Sequence, residues 1–353
     1  MLQDLPLPYL ALLVFVFGLM IGSFLNVVIY RLPLGKSIVY PGSHCPKCNN
    51  PVKPRDNVPV LSYLILRGRC RFCKIKISPI YPIVEFMVGL LFLSLLLIKG
   101  PVTSTLTDIA FAASIVALIF IDAGHQILPN AIVYPGLVLA MATRALLPNL
   151  DGVFWSKVSL SETNAAYVAG AIVALSAPLL LGFDFADWKL MGHKFVDEDE
   201  KDDDVADQKS YLFPATIVLG VVMGVVVMIL GLKHRLPPDA VDSLIGAIAG
   251  AIVGAGFFWL MRVGYYIAKG REGMGLGDAK MMAFVGAYFG WRLVFFTTFV
   301  GALLGSVIGV IYLRMSNKSN REPLPFGVFL GAASLIALFA GHEIISWWVG
   351  TFR

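Results

Sequence analysis

Apolar runs long enough to cross a lipid bilayer recur along almost the whole chain, and nothing else restricts its fold so strongly. A membrane-spanning helix needs about 20 mostly apolar residues, because backbone groups in lipid must be satisfied within the segment. Ten such segments are read, at roughly 8–29, 82–98, 104–122, 131–148, 164–182, 211–232, 239–268, 278–290, 293–313 and 324–349. The eighth is short for a full crossing and is expected to be partial or tilted beside the ninth. Only 14% of residues are charged and 58% are hydrophobic, where a soluble domain carries about 25% charged residues. Disorder, a coiled coil and an ordinary soluble enzyme are excluded, and no nucleic-acid partner is expected. The fold class is an all-α polytopic membrane protein with about ten transmembrane segments, whose first partner is the lipid bilayer.

Basic residues set the expected orientation. Residues 30–81 hold ten of them against one acid, Asp56, and no Lys or Arg precedes Arg31. The first segment therefore reads as an anchor with its N-terminus outside, since a cleaved signal peptide would want a basic start and a small-residue cleavage site. Carried through ten crossings, this orientation puts 21 of the 28 basic residues on the cytoplasmic side. The organisation expected is an anchor at 1–30, a cytoplasmic four-cysteine domain at 31–81, helices at 82–149, an inserted helix pair at 150–238 and a last group of helices at 239–353. The inserted pair carries a loop at 183–210 with a mostly acidic block from Asp197 to Asp204. The block is expected to be a solvated linker, or to attract basic peptides on its own face. No repeat supports an inverted-repeat transporter.

Cys45-Pro46-Lys47-Cys48 and Cys70-Arg71-Phe72-Cys73 form C-x2-C-x21-C-x2-C. Two such knuckles can offer four thiolates to Zn²⁺ tetrahedrally, as in a zinc ribbon. Disulfides or a redox pair are the rival reading, opposed by the reducing cytoplasmic side. Four cysteines leave no open position for a substrate, so a metal here would be structural.

Six acids lie within or at the edges of apolar segments: Glu85, Asp108, Asp122, Asp242, Asp278 and Glu343. Carboxyl groups are costly there and are functional candidates. Asp108, Asp242 and Glu343 lie near outer ends, where an interfacial side chain reaches water or a neighbouring cation. Glu85 opens its helix, where an anion suits the helix dipole, and both a cap and a functional role stay open. Asp122 and Asp278 differ from these. Each sits at a helix end beside a Gly- or Pro-bearing loop, and four crossings between them bring both to one face. Two carboxyl groups meeting in a partly dry site share a proton, one acting as acid and the other as base for water. Topology alone leaves open whether these two meet.

The chain resembles the bacterial type IV prepilin peptidases, a family of GxGD membrane aspartic proteases, in an ordered set of blocks. They are Gly22-Ser23-Phe24-Leu25-Asn26 through Arg31-Leu32-Pro33, the two cysteine knuckles with Asp56-Asn57-Val58-Pro59 through Tyr63 between them, and Tyr81-Pro82-Ile83-Val84-Glu85. The Asp122 segment with Pro129 follows, then Gly273-Met274-Gly275-Leu276-Gly277-Asp278-Ala279-Lys280 and Pro325-Phe326-Gly327. The resemblance implies removal of a basic leader from prepilins and pseudopilins at the cytoplasmic face of the inner membrane. It also implies N-methylation of the new terminus with S-adenosylmethionine as donor. By motif, Asp122 and Asp278 are the catalytic pair, with Gly275, Gly277 and Pro129 supporting their loops, and Cys45, Cys48, Cys70 and Cys73 are the zinc ligands. The resemblance places no methyl-donor site and no oligomeric state. The chain departs from the family's usual eight or so crossings in residues 150–238, which read as an even-numbered insertion. A peptidase without methylation and a carboxylate-based transporter are the alternatives. The zinc knuckles and the Gly22–Pro33 block oppose the first, and acids gathered at one face oppose the second.

Overall fold

The computed structural model of the chain describes residues 6–148, 160–191, 203–270, 273–316, 325–341, 343–344 and 346–347. Each of the ten apolar segments is a helix: α1 (Leu7–Arg31), α3 (Ile80–Lys99), α4 (Thr103–His125), α5 (Asn130–Leu146), α6 (Glu162–Met191), α7 (Asp203–Leu232), α8 (Ala240–Lys269), α9 (Leu276–Phe289), α10 (Trp291–Ser316) and α11 (Phe326–Ile336). A short α2 (Leu61–Ile65) lies in the cysteine loop, and a π-helical turn, Ala337–Gly341, prolongs α11. No strand occurs among the described residues, only two isolated bridges. The described parts of α1, α3, α4, α7, α8 and α10 are long and apolar enough to span a membrane. At 14 residues, α9 is about 21 Å long, short of the hydrocarbon core as its sequence implied.

One boundary differs from the reading of hydropathy. The apolar segments end near 182 and resume near 211, yet α6 continues to Met191 and α7 begins at Asp203. Helical hydrogen bonding does not stop where side chains become polar, so hydropathy marks the lipid-matched part of a helix and not its ends. The acidic stretch 197–202 lies outside the described residues.

The chain divides into two compact units, Met1–His125 and Gln126–Arg353. In the first, α1 and α3 pack antiparallel in one register. Gly18 faces Gly89, Gly22 faces Glu85, and the Asn26 side-chain amide donates to Tyr81 O at 3.0 Å. A methyl group on Gly22 would lie 2.7 Å from the Glu85 Cα, so glycine permits the close backbone approach that holds membrane helices together. The α3–α4 hairpin is set by an ion pair, Lys99 Nζ to Asp108 Oδ2 at 2.8 Å. Asp108 thus has the neighbouring cation expected of an interfacial acid.

In the second unit, α8 and α9 form the tightest pair. Gly250 meets Gly286, and Gly254 meets the backbone of Met282, again one antiparallel register. Helices α5 and α9 run parallel: Leu128 meets Gly277, Asn130 meets Lys280, and Gly136 lies under the Phe284 ring. Further glycine contacts join α6 to α7 (Gly170 with Gly224) and α10 to α11 (Gly301 with Leu330).

Candidate active site and metal centre

The cysteine loop has too little apolar core to fold by burial, and its order comes from short polar contacts. The two knuckles repeat at an offset of 25 residues. Cys45 N donates to Asn50 O at 3.0 Å and Asn49 N to Cys45 O at 2.9 Å. Likewise Cys70 N donates to Ile75 O at 2.9 Å and Lys74 N to Cys70 O at 3.1 Å. Asn49 and Lys74, one residue past each knuckle, adopt φ of 54° and 57°. The left-handed turn at these positions folds each Cys pair to one side.

The four Sγ atoms lie within 4.8 Å of one another, with Cys45 and Cys73 3.7 Å apart. A tetrahedral ZnS₄ centre with bonds near 2.3 Å has its sulfurs about 3.8 Å apart, so the set fits such an ion. The thiols also suit one electrostatically. The Asn50 amides lower Cys48 to about 6, and the amides of Cys73 and Phe72 lower Cys70. Although the Ile75 amide opposes it, desolvation and the neighbouring sulfurs push Cys73 up to about 11. Four sulfurs at this spacing cannot all ionise without a cation, and a divalent ion removes the conflict.

The segment between the knuckles is tied to them and to the membrane helices. Arg71 donates from Nε and Nη2 to both Asp56 oxygens, at 2.8 and 2.5 Å. The guanidinium holds the Asp56 carboxyl below its ordinary value of 3.8. A cleft of about 490 Å³ opens beside Gly68, with Tyr63, Arg67, Arg69 and Lys76 in its lining, a basic surface suited to an anionic group. Val60 has φ of 59°, rare for a β-branched residue, and its N–H donates to Glu85 Oε2 at 2.7 Å. Glu85 is 9% exposed.

Both membrane aspartates are buried. Asp122, 5% exposed, occupies the last turn of α4. Asp278, 8% exposed, is the third residue of α9 after its cap Gly275, where the helix dipole favours an acidic side chain. Pro129 caps α5. Gly277 lies against Leu128, where an added methyl would approach the Leu128 Cβ to 3.0 Å. So the chain six residues beyond Asp122 packs on the residue before Asp278.

Asp242 is buried in the first turn of α8, Asp108 is paired with Lys99, and Glu343 is exposed. One buried charge near Asp278 was not singled out in the sequence. Lys280 is 9% exposed, donates to Asn130 Oδ1 at 3.0 Å and lies 5.7 Å from the Tyr134 ring centre. Its signal was available, because a lysine inside a membrane segment is as costly as an acid.

These features define a multi-pass helical membrane protein with a four-thiol cluster that could hold a metal ion and buried carboxyl groups at two helix ends. The family description "Bacterial Peptidase A24 N-terminal domain" matches residues 16–98, and "Type IV leader peptidase family" matches residues 205–310. The second match takes in α7, part of the pair read as inserted, and includes Asp278. Asp122 lies outside both matches. The chain is 29% identical to the prepilin leader peptidase/N-methyltransferase of Aeromonas hydrophila, over 99% of its own length and 97% of that protein's. Its identity to the protein of the same name from Pseudomonas putida is 30%, over 95% and 92% of the two chains. To that of Pseudomonas aeruginosa it is 28%, over 93% and 89%. No solved structure matches. The chain belongs to the type IV leader peptidase family.

Proposed function

We propose that this protein is an aspartic endopeptidase of the inner membrane that removes the basic leader from type IV prepilins and pseudopilins. It then transfers a methyl group to the freed N-terminus. Asp122 and Asp278 are its catalytic pair. The observation that carries this assignment is the packing of Leu128 on Gly277. It ties the chain just past Asp122 to the start of the helix that bears Asp278.

The chemistry follows from two carboxyl groups sharing one proton. The ionised group takes a proton from water, and the resulting hydroxide attacks the scissile carbonyl carbon. The protonated group hydrogen-bonds the carbonyl oxygen and then supplies a proton to the departing amine. Gly275 leaves open space at the cap of the helix that bears Asp278, Gly277 lets Leu128 pack close to it, and Pro129 caps α5. A prepilin joins a basic leader to an apolar helix, so its scissile bond lies at the membrane interface. The bias of basic residues in the chain puts both aspartates on the cytoplasmic side. Cys45, Cys48, Cys70 and Cys73 hold a structural Zn²⁺ in the loop. S-adenosylmethionine, when bound, supplies an electrophilic methyl group.

The test is incubation of a prepilin with the purified protein in lipid, with S-adenosylmethionine present, followed by mass spectrometry. Loss of the leader together with the added mass of one methyl group is expected. Leader loss without the added mass would leave a peptidase alone, and an intact prepilin would refute the reading.

A further inference from the structure

Glu85 is a buried acid that the peptidase chemistry does not use. Its Oε2 accepts the Val60 N–H. No Lys, Arg or His hydrogen-bonds or ion-pairs with it among the described residues, although residues 30–81 are rich in cations. The residue as a whole is 9% exposed, and among the described residues only Oε2 of its carboxyl group has a hydrogen-bond partner. An isolated buried acid is costly unless something cationic reaches it.

Helix register says where that cation would come from. In the α3–α4 hairpin, Lys99 pairs with Asp108. Fourteen residues back along α3 is Glu85, and fourteen residues forward along α4 is Asp122. Both therefore sit about 21 Å from the ion pair, at one level of the hairpin. Fourteen residues of α-helix return to within about 40° of the starting direction, so each side chain stays near the inward face that Lys99 and Asp108 share. The backbone fixes Glu85 as well. Gly22 of α1 closes on its Cα, and the Val60 turn holds one oxygen.

We propose that Glu85 is the receptor for the substrate's newly freed α-ammonium group, which it orients for methylation. This rests on the function proposed above. Cleavage at the level of Asp122 creates a primary ammonium in place of an uncharged amide, and a carboxylate acceptor favours the ammonium over the amide. The carboxylate binds that N–H₃⁺ and takes one of its protons. This leaves the nitrogen lone pair free to form the N–C bond as the C–S bond of a sulfonium methyl donor breaks. The Val60 N–H keeps the other oxygen in place throughout.

The discriminating variant is Glu85→Gln, which keeps an acceptor for Val60 and removes the charge. Binding is measured on the full chain in lipid nanodiscs without methyl donor. The probes are a mature pilin N-terminal peptide beginning with Phe and its N-acetylated form. The wild type is expected to bind the free amine about tenfold tighter, the scale of one charge-assisted hydrogen bond. In the variant that preference should vanish, with affinity for the acetylated peptide unchanged. A wild type that does not discriminate overturns the proposal, and this comparison stands even if the variant fails to fold. A preference that survives in the variant overturns it too. A third probe, the uncut leader-bearing peptide, covers the other source of cations. If Glu85→Gln weakens only that peptide, the group serves leader lysines and the α-ammonium assignment falls. Cleavage of intact prepilin is scored on the same wild-type preparation. A protein that cuts without preferring the free amine refutes this proposal alone. One that prefers the amine without cutting refutes the peptidase reading.

Discussion

The cysteine loop and the α8–α9 hairpin are held together in opposite ways. The loop has few buried side chains, and its order comes from amide-to-carbonyl turns, the Asp56–Arg71 pair and four convergent sulfurs. In the hairpin, Gly250 and Gly254 bring two backbones into contact over Gly286 and Met282, and Met281, Met282 and Val285 are wholly buried. One region gathers a set of thiols that fits a metal ion, the other depends on the absence of side chains. The consequence for function is that a chelator and a single β-carbon should damage different parts of the protein.

The largest effect expected separates chemistry from architecture inside α9. Asp278→Asn removes an acid but no packing, so cleavage should fall by at least about 10²–10⁴-fold, the range for losing general acid–base catalysis. Thermal unfolding and metal content should be unchanged. Asp122→Asn should match it, because a pair sharing a proton fails as a unit. Measurable cutting by either variant at the wild-type rate would break the assignment.

Metal removal acts on the other side of the comparison. Structural Zn²⁺ contributes roughly 10–16 kcal/mol of apparent binding energy in small domains, more than the loop can replace by burial. Chelation, or Cys48→Ser, should therefore open residues 31–81 to limited proteolysis while α8 and α9 stay protected. If the loop remains resistant after metal analysis shows less than one ion per chain, its stability has another source.

How much of this was legible beforehand depends on the range of the interaction. The ten helices and the cysteine site could be read because hydropathy runs and C-x-x-C spacing are local signals. Six acids stood out because carboxyl groups in apolar segments are rare, and Asp122 and Asp278 were marked among them by their helix ends beside Gly- or Pro-bearing loops and by the motifs around them. The register of α5 against α9 could not be read. It depends on which surface of Gly136 or Gly277 meets Phe284 or Leu128, and a glycine announces close approach without naming its partner. Val60 was hidden for a different reason. Nothing in Val58-Pro59-Val60 announces a positive φ at a β-branched residue, and only the bond to Glu85, 25 positions away, accounts for it. The extent of α6 and α7 beyond their apolar parts was likewise outside what hydropathy reports.

Gly254→Val probes that glycine contact. The new side chain would meet the backbone carbonyl of Met282, which cannot rotate away. Overpacking of this kind costs about 1–3 kcal/mol, and the strain falls on the helix whose first turn carries Asp278. Lower unfolding temperature in detergent, with cleavage reduced less than in Asp278→Asn and metal content intact, is the expected pattern. Equal stability of the variant and wild type would mean that α8 and α9 have room the structure does not show.

The smallest effect should come from Asp56→Asn, and its pH dependence sharpens what holds the loop. Arg71 depresses the Asp56 carboxyl below its ordinary value of 3.8. A depressed acid contributes stability that is complete above its unfolded value and is lost only as pH falls through its folded one. The Asp56–Arg71 pair is therefore fully formed anywhere above about pH 4, and the variant should be weaker than wild type by the same small amount at pH 6 and at pH 8. Two of the thiols titrate higher than Asp56, Cys48 near 6 and Cys73 near 11 when no metal is bound. Any loss of loop order between pH 4 and 6 then comes from a group other than Asp56, and the sulfurs are the first to test. Limited proteolysis of the loop across that window, in wild type and variant side by side, checks the assignment. Parallel curves would place the acid sensitivity in the metal centre, whereas curves that converge as pH falls toward 4 would return it to the Asp56–Arg71 pair.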